Sequence, residues 1–85
     1  MQKPSLGRVV IVKVDPSINN GSDEAPAMIT RVWSDTMVNL RVLLDGADGV
    51  HGIPPTPART SVTLLESKPD ASDTRSHIAW WPPRV

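Results

Sequence analysis

The chain has 85 residues, no cysteine, no phenylalanine and no tyrosine, and its nine basic residues balance nine acidic ones. This composition excludes disulfides, thiolate metal sites and cysteine nucleophiles, and it leaves no general pull on nucleic acid, whose non-specific binding rests on phosphate contacts. A single small domain over 1–85 is expected, burying roughly 60–65% of its unfolded surface; nine prolines and five glycines argue against long helices.

The first predicted strand is Gly7–Val14, β-branched almost throughout and stopped by Asp15-Pro16. Val10, Val12 and Val14 form one face. Val9, Ile11 and Lys13 form the other, apolar enough to meet a partner strand or subunit. Residues 15–24 read as a wide, mobile loop, with Asn20-Gly21 suited to positive φ angles. Pro26–Trp33 and Val38–Leu44 make the clearest hairpin, joined tightly through Ser34-Asp35-Thr36-Met37. In its second arm Val38, Leu40 and Val42 alternate with Asn39 and Arg41. In its first arm Ala27 and Ile29 share a face and Val32 breaks the alternation, which a bulge near Arg31 would restore.

Beyond Asp45-Gly46-Ala47-Asp48-Gly49, a turn, Val50–Ile53 reads as a short strand and Pro54–Pro57 as a stiff extended linker. Thr60–Glu66 is the fourth convincing strand, Ser67–Thr74 a polar loop, and Arg75–Trp81 the last strand, ended by Pro82-Pro83. Short strands separated by turn signals predict an all-β fold. The order of long loop, tight hairpin and proline-containing connection predicts a small five-stranded, SH3-like antiparallel barrel. An OB-like barrel, or an open sheet completed by a second subunit, are the alternatives.

Gly7-Arg8-Val9-Val10, Ala27-Met28-Ile29-Thr30-Arg31-Val32-Trp33, Val38-Asn39-Leu40-Arg41-Val42 and Trp81-Pro82-Pro83-Arg84-Val85 together resemble a family of small bacteriophage and prophage proteins. Those proteins begin Gly-Arg-Ile-Val and end on a Trp-His-Trp-Pro-Glu-Arg-like sequence. Trp81, Pro82 and Arg84 match that ending directly. Ala79 stands where the pattern has its first Trp, Trp80 where it has His, and Pro83 where it has Glu. The resemblance spans nearly the whole chain and implies phage origin and the barrel fold.

Catalysis has little support. His51 and His77 stand 26 residues apart, and nothing resembles a nucleophile elbow or a phosphate loop. His51 reads as an exposed loop residue; His77 reads as a polar strand residue or as a hydrogen-bond partner for a ligand. No His pair has ligand spacing, and Asp45-x-x-Asp48 lacks the further acidic residues of a calcium loop. No metal and no cofactor are expected.

The binding candidates are the tryptophans and arginines. Adjacent strand residues point to opposite faces, so Trp80 and Trp81 cannot both fill one core. Either register is open, and the outward indole must serve a subunit contact, a ligand or a cover of its own. Trp33 reads as a core-rim residue or a binding-surface aromatic. Arg84 follows two prolines that hold it extended, and a guanidinium near indoles suits phosphates and planar rings. Arg31 and Arg41 share the outer face of the hairpin, where proximity would favour an anion between them.

The expectation is therefore a non-enzymatic, phage-type binding protein. Its ligand would be a nucleotide-like small molecule, such as a host immune signal that it sequesters, held by Trp81, Arg84, Trp80, His77, Arg31, Arg41 and Trp33. Small phage proteins of this anti-defence class are usually homo-oligomers with sites between subunits. A protein-interaction module or a virion assembly component is the alternative, although no Tyr or Phe is present to line a proline-rich-peptide groove. A nucleic-acid-binding barrel fits the zero net charge less well. The polar start and the lack of a ~20-residue apolar run predict no membrane partner and a cytoplasmic location, that of the host if the chain is phage-encoded.

Overall fold

Period-2 alternation of small and β-branched residues produces five strands that close into a barrel. The computed structural model describes residues 2–45, 56–75 and 77–83. Strand β1 spans Val9–Lys13, β2 Glu24–Ser34, β3 Met37–Val42, β4 Ala58–Leu65 and β5 Ile78–Trp80, in the order β1-β2-β3-β4-β5 around the ring. The chain is an all-β, SH3-like barrel, as the turn spacing predicted. Four neighbouring pairs are antiparallel, and β4–β5 is parallel. The predicted strand at Val50–Ile53, the preceding turn from Gly46 and the start of the proline linker lie outside the described residues.

Inward positions follow the alternation strand by strand. Val10, Val12 and Val14 of the first strand and its extension meet Ala25, Ala27 and Ile29 of β2 and Val38, Leu40 and Val42 of β3. Val62, Leu64, Ala79 and Trp81 complete the cluster. A barrel of five strands has room inside only for side chains. Valines and alanines fill most of it, and Trp81 supplies its one aromatic ring.

Pro26 sits inside β2, a position proline normally avoids because it cannot donate to a ladder. Its carbonyl accepts from Leu43 N at 2.8 Å, just past the end of β3. The missing N–H therefore falls where the neighbouring ladder runs out. The expected bulge near Arg31 is present, as a register shift between Ile29 and Arg31. A second shift lies between Val32 and Ser34, before the turn.

Residues 15–24 are more structured than a wide loop. Asp15 caps a short 3-10 turn over Pro16–Ile18, accepting from Ser17 N at 2.9 Å. Asn20 (φ 53°) and Gly21 (φ 91°) take the left-handed angles their side chains allow. Asn19 ties the segment to the barrel. It is buried; its Nδ2 donates to the carbonyls of Ser22 (3.0 Å) and Glu24 (2.9 Å), and its Oδ1 accepts from Asp45 N (2.7 Å).

The last strand is shorter than predicted. Instead of extending the sheet, Arg75 folds back on Asp73, donating from Nε and Nη2 to the carboxylate, the latter at 2.6 Å. These hydrogen bonds from Arg75, side chain first and then backbone, hold the Asp73 carboxyl down to about 2. The segment 66–75 thus crosses the barrel as a folded connection. Lys68 pairs with Glu24 across it, which raises the lysine pKa.

Asn19→Ala would leave the Ser22 carbonyl and the Asp45 N–H without this partner, while the Glu24 carbonyl keeps the Ser22 hydroxyl at 3.0 Å. The expected loss is about 2–4 kcal/mol, since each unsatisfied buried group costs about 1–3 kcal/mol. Urea unfolding followed by circular dichroism checks it, with the midpoint falling and the slope unchanged.

Candidate functional site

Strand register decides what the C-terminal indoles can do. Val12 pairs with Ala79 and Ile11 with Trp80. Because Val12 points inward and Ile11 outward, Ala79 and Trp81 belong to the interior, and Ile78 and Trp80 to the outside. The outward indole has a cover of its own. Trp80 borders the 66–73 segment and Glu24 across a cavity of about 170 Å³. Trp80 and Trp81 are each only 4% exposed.

A groove of about 880 Å³ runs past this end, floored by Ile11, Trp80, Trp81 and Pro82 and edged by Glu24, Glu66 and Lys68. Its size suits a small ligand. Its charge does not suit an anion, because Lys68 is engaged by Glu24 and Glu66 adds a further carboxylate. Indoles so fully covered also present no face for stacking. Arg8 lies over the Trp81 ring at 5.2 Å and donates to Gln2 Oε1 at 2.9 Å, so the N-terminal segment helps close the barrel end.

The accessible aromatic is Trp33, 52% exposed on the outer face of the β2–β3 hairpin. Arg31 places its guanidinium 4.0 Å from the centroid of this ring, a close cation–π contact. Asn39, opposite Arg31 in the register, fixes the other edge. Its Oδ1 accepts from Trp33 Nε1 at 2.8 Å and from Ser61 N at 2.9 Å. Ser61 stands in β4 with φ 54°, where Thr60 and Ser61 together oppose the single Asn39. That left-handed angle is costly for serine, by about 1–2 kcal/mol. The Asn39 bond helps hold it. Indole, guanidinium and carboxamide are thereby set in one fixed arrangement facing solvent.

The other predicted residues lie elsewhere. Arg41 pairs with Met28 rather than facing Arg31, and its Nη1 reaches Thr56 O at 3.3 Å. His77 is exposed just before β5, and its carbonyl accepts from Thr63 N. Arg84 and His51 lie outside the described residues. The structure therefore joins Trp80 to Trp81 and Arg31 to Trp33, and does not bring the two pairs together. Sequence reasoning missed Asn39 and Ser61. Alternation placed Asn39 outward, but nothing in the sequence shows that one carboxamide oxygen serves two donors.

Among the described residues no three His, Cys, Asp or Glu side chains converge as a metal-binding group, and no helix is long and apolar enough to cross a membrane. No protein family, curated protein or solved structure matches the chain.

Asn39→Ala removes the shared acceptor. The expected cost is about 1–2 kcal/mol, two hydrogen bonds at their usual net worth, with an upfield move of the Trp33 indole N–H resonance. Asn39→Asp retains an acceptor oxygen and should keep that resonance close to its original position.

Proposed function

We propose that this chain is a non-enzymatic binding protein of phage type whose ligand is a nucleotide-like small molecule, bound and sequestered on the Arg31–Trp33 platform. The observation that carries the reading is the half-exposed Trp33 ring, with a guanidinium on it at 4.0 Å and an indole N–H fixed by Asn39. A planar base stacks on an indole or on a guanidinium plane. A phosphate accepts charge-assisted hydrogen bonds from the same guanidinium. The platform is also already ordered, which lowers the entropy lost on binding.

Phage origin rests on the resemblance of the four sequence segments. A role against host defence follows from it, as sequestration of a nucleotide signal. Zero net charge favours a compact ligand over a long nucleic acid, which needs many phosphate contacts.

A protein partner is the second reading, as an interaction module or a virion assembly component. The exposure of Val32 (36%) and Met37 (38%) beside Trp33 favours it. Tryptophan and arginine are also the residues that most often anchor protein interfaces.

Thermal melting with a panel of cyclic and ADP-ribose-type nucleotides separates the two. A ligand at a hundred times its Kd adds about 2.7 kcal/mol of stability, which in a domain of this size raises Tm by roughly 10–20 °C. Trp33→Ala and Arg31→Ala should each abolish the shift while leaving the unliganded Tm within a few degrees. Failure of every nucleotide to raise Tm contradicts the small-molecule reading and leaves the protein partner.

A further inference from the structure

The hydrogen-bonding capacity of the Arg31–Trp33 platform is one-sided. Arg31 and Asn39 stand opposite each other in the register, and both touch the Trp33 indole. An amide oxygen has two lone pairs, and those of Asn39 Oδ1 are taken by Trp33 Nε1 and Ser61 N. Two N–H donors on one oxygen also fix which way the amide points. The oxygen lies toward the indole, and Nδ2 is the free end. No buried side-chain nitrogen or oxygen among the described residues lacks a partner, and Nδ2 has none there, so Nδ2 is open to solvent.

Arg31 is exposed and, among the described residues, makes no hydrogen bond or ion pair besides its contact with the ring. A guanidinium 4.0 Å from a ring centroid stacks on the ring. Its N–H groups then point outward along its own plane. Arg31 and Asn39 therefore offer donors around the indole and no free acceptor. The exposed Ser61 hydroxyl beside them both gives and takes hydrogen bonds, so it leaves that balance unchanged.

Donors without acceptors discriminate between bases. Guanine carries two adjacent acceptors, O6 and N7, the pair that an arginine fork reads bidentately. Adenine sets its N6 amine beside N7, and that donor would face donors. The amine would give up water and gain no acceptor, which is costly. Cytosine has O2 and N3 as neighbouring acceptors, but its single ring covers less of the indole than a purine does.

We propose that the platform selects guanine: the base stacks on Trp33 beside the guanidinium, its O6 and N7 accept from Arg31, and O6 accepts also from Asn39 Nδ2. The fork uses only part of the guanidinium, and the remaining N–H groups serve a phosphate. This selectivity rests on the nucleotide reading of the same platform and narrows its ligand to guanine nucleotides.

Isothermal titration calorimetry of the full chain tests it with the guanine, adenine and cytosine members of matched sets: mononucleotides, cyclic mononucleotides and cyclic dinucleotides. In any set that binds, the guanine member should bind about five- to 150-fold more tightly than the adenine member, the discrimination of one bidentate pair. A 7-deaza form of the guanine ligand, with carbon in place of N7, should lose most of that preference. Arg31→Lys keeps the charge for phosphate but not the fork, and should bring the guanine and adenine affinities within about threefold of each other. Asn39→Asp keeps an oxygen for Trp33 Nε1 but turns the free donor into an acceptor. It should lower the guanine-to-adenine ratio by at least about threefold while the indole N–H resonance stays in place. An adenine or cytosine member that binds as tightly as guanine overturns the selectivity and leaves the nucleotide reading standing. So does a guanine preference indifferent to the 7-deaza change or to Arg31→Lys. If no member of any set binds, the nucleotide reading itself fails, and the selectivity with it.

Discussion

Direction cannot alternate all the way around a ring with an odd number of strands. Five strands that close must contain at least one parallel pair, and here it is β4–β5. A parallel pair cannot be joined by a tight turn; the chain must return across the barrel. The described part of that return is the segment 66–75, and its course beside Trp80 governs what the C-terminal tryptophans can do. β5 is only three residues long, yet all three are buried. One side faces the interior, and the other lies beneath the crossover, which is held by the Lys68–Glu24 pair and by Arg75 folded on Asp73. The two indoles thus serve different structural roles. Trp81 fills the barrel that valines and alanines leave open, and Trp80 seats the connection that closing the barrel demands.

The same closure needs bulges, which concentrate twist and re-aim side chains. The register breaks at Ile29/Arg31 and Val32/Ser34 in β2, and at Val38/Leu40 opposite Thr60-Ser61 in β4. Trp33 lies within one of these breaks and emerges half exposed, while Ser61 absorbs a left-handed angle in another. Asn39 stands between them and bonds to both. The local cost at Ser61 and the exposure of Trp33 are therefore two ends of one hydrogen-bonded arrangement. Backbone strain of this kind often collects where a protein presents a binding group, in keeping with the function proposed for this face.

Much of this architecture could be read from the sequence where local rules apply. Alternation identified the inner faces of β1 and β3. Asn20-Gly21 declared its positive φ angles, and Val32 exposed the need for a bulge near Arg31. Adjacent strand positions required Trp80 and Trp81 to diverge. The direction of that divergence was not legible, because it depends on the pairing of Val12 with Ala79, sixty-seven positions away. Asn19 was equally opaque. One polar residue in a loop carries no mark that it will be buried and satisfied by Ser22, Glu24 and Asp45. Arg31 and Arg41 look like neighbours on a hairpin diagram, but the bulge gives Arg31 to Trp33 and leaves Arg41 beside Met28.

The paired indoles serve the structure and the single one faces the surface, a division that collisional quenching of tryptophan fluorescence by acrylamide tests most directly. With Trp80 and Trp81 each 4% exposed and Trp33 52% exposed, one of the three emitters should be readily quenched, and Trp33→Phe should remove that accessible fraction while the remainder stays shielded. An accessible fraction that survives in Trp33→Phe would contradict the account, because it would place Trp80 or Trp81 in contact with solvent.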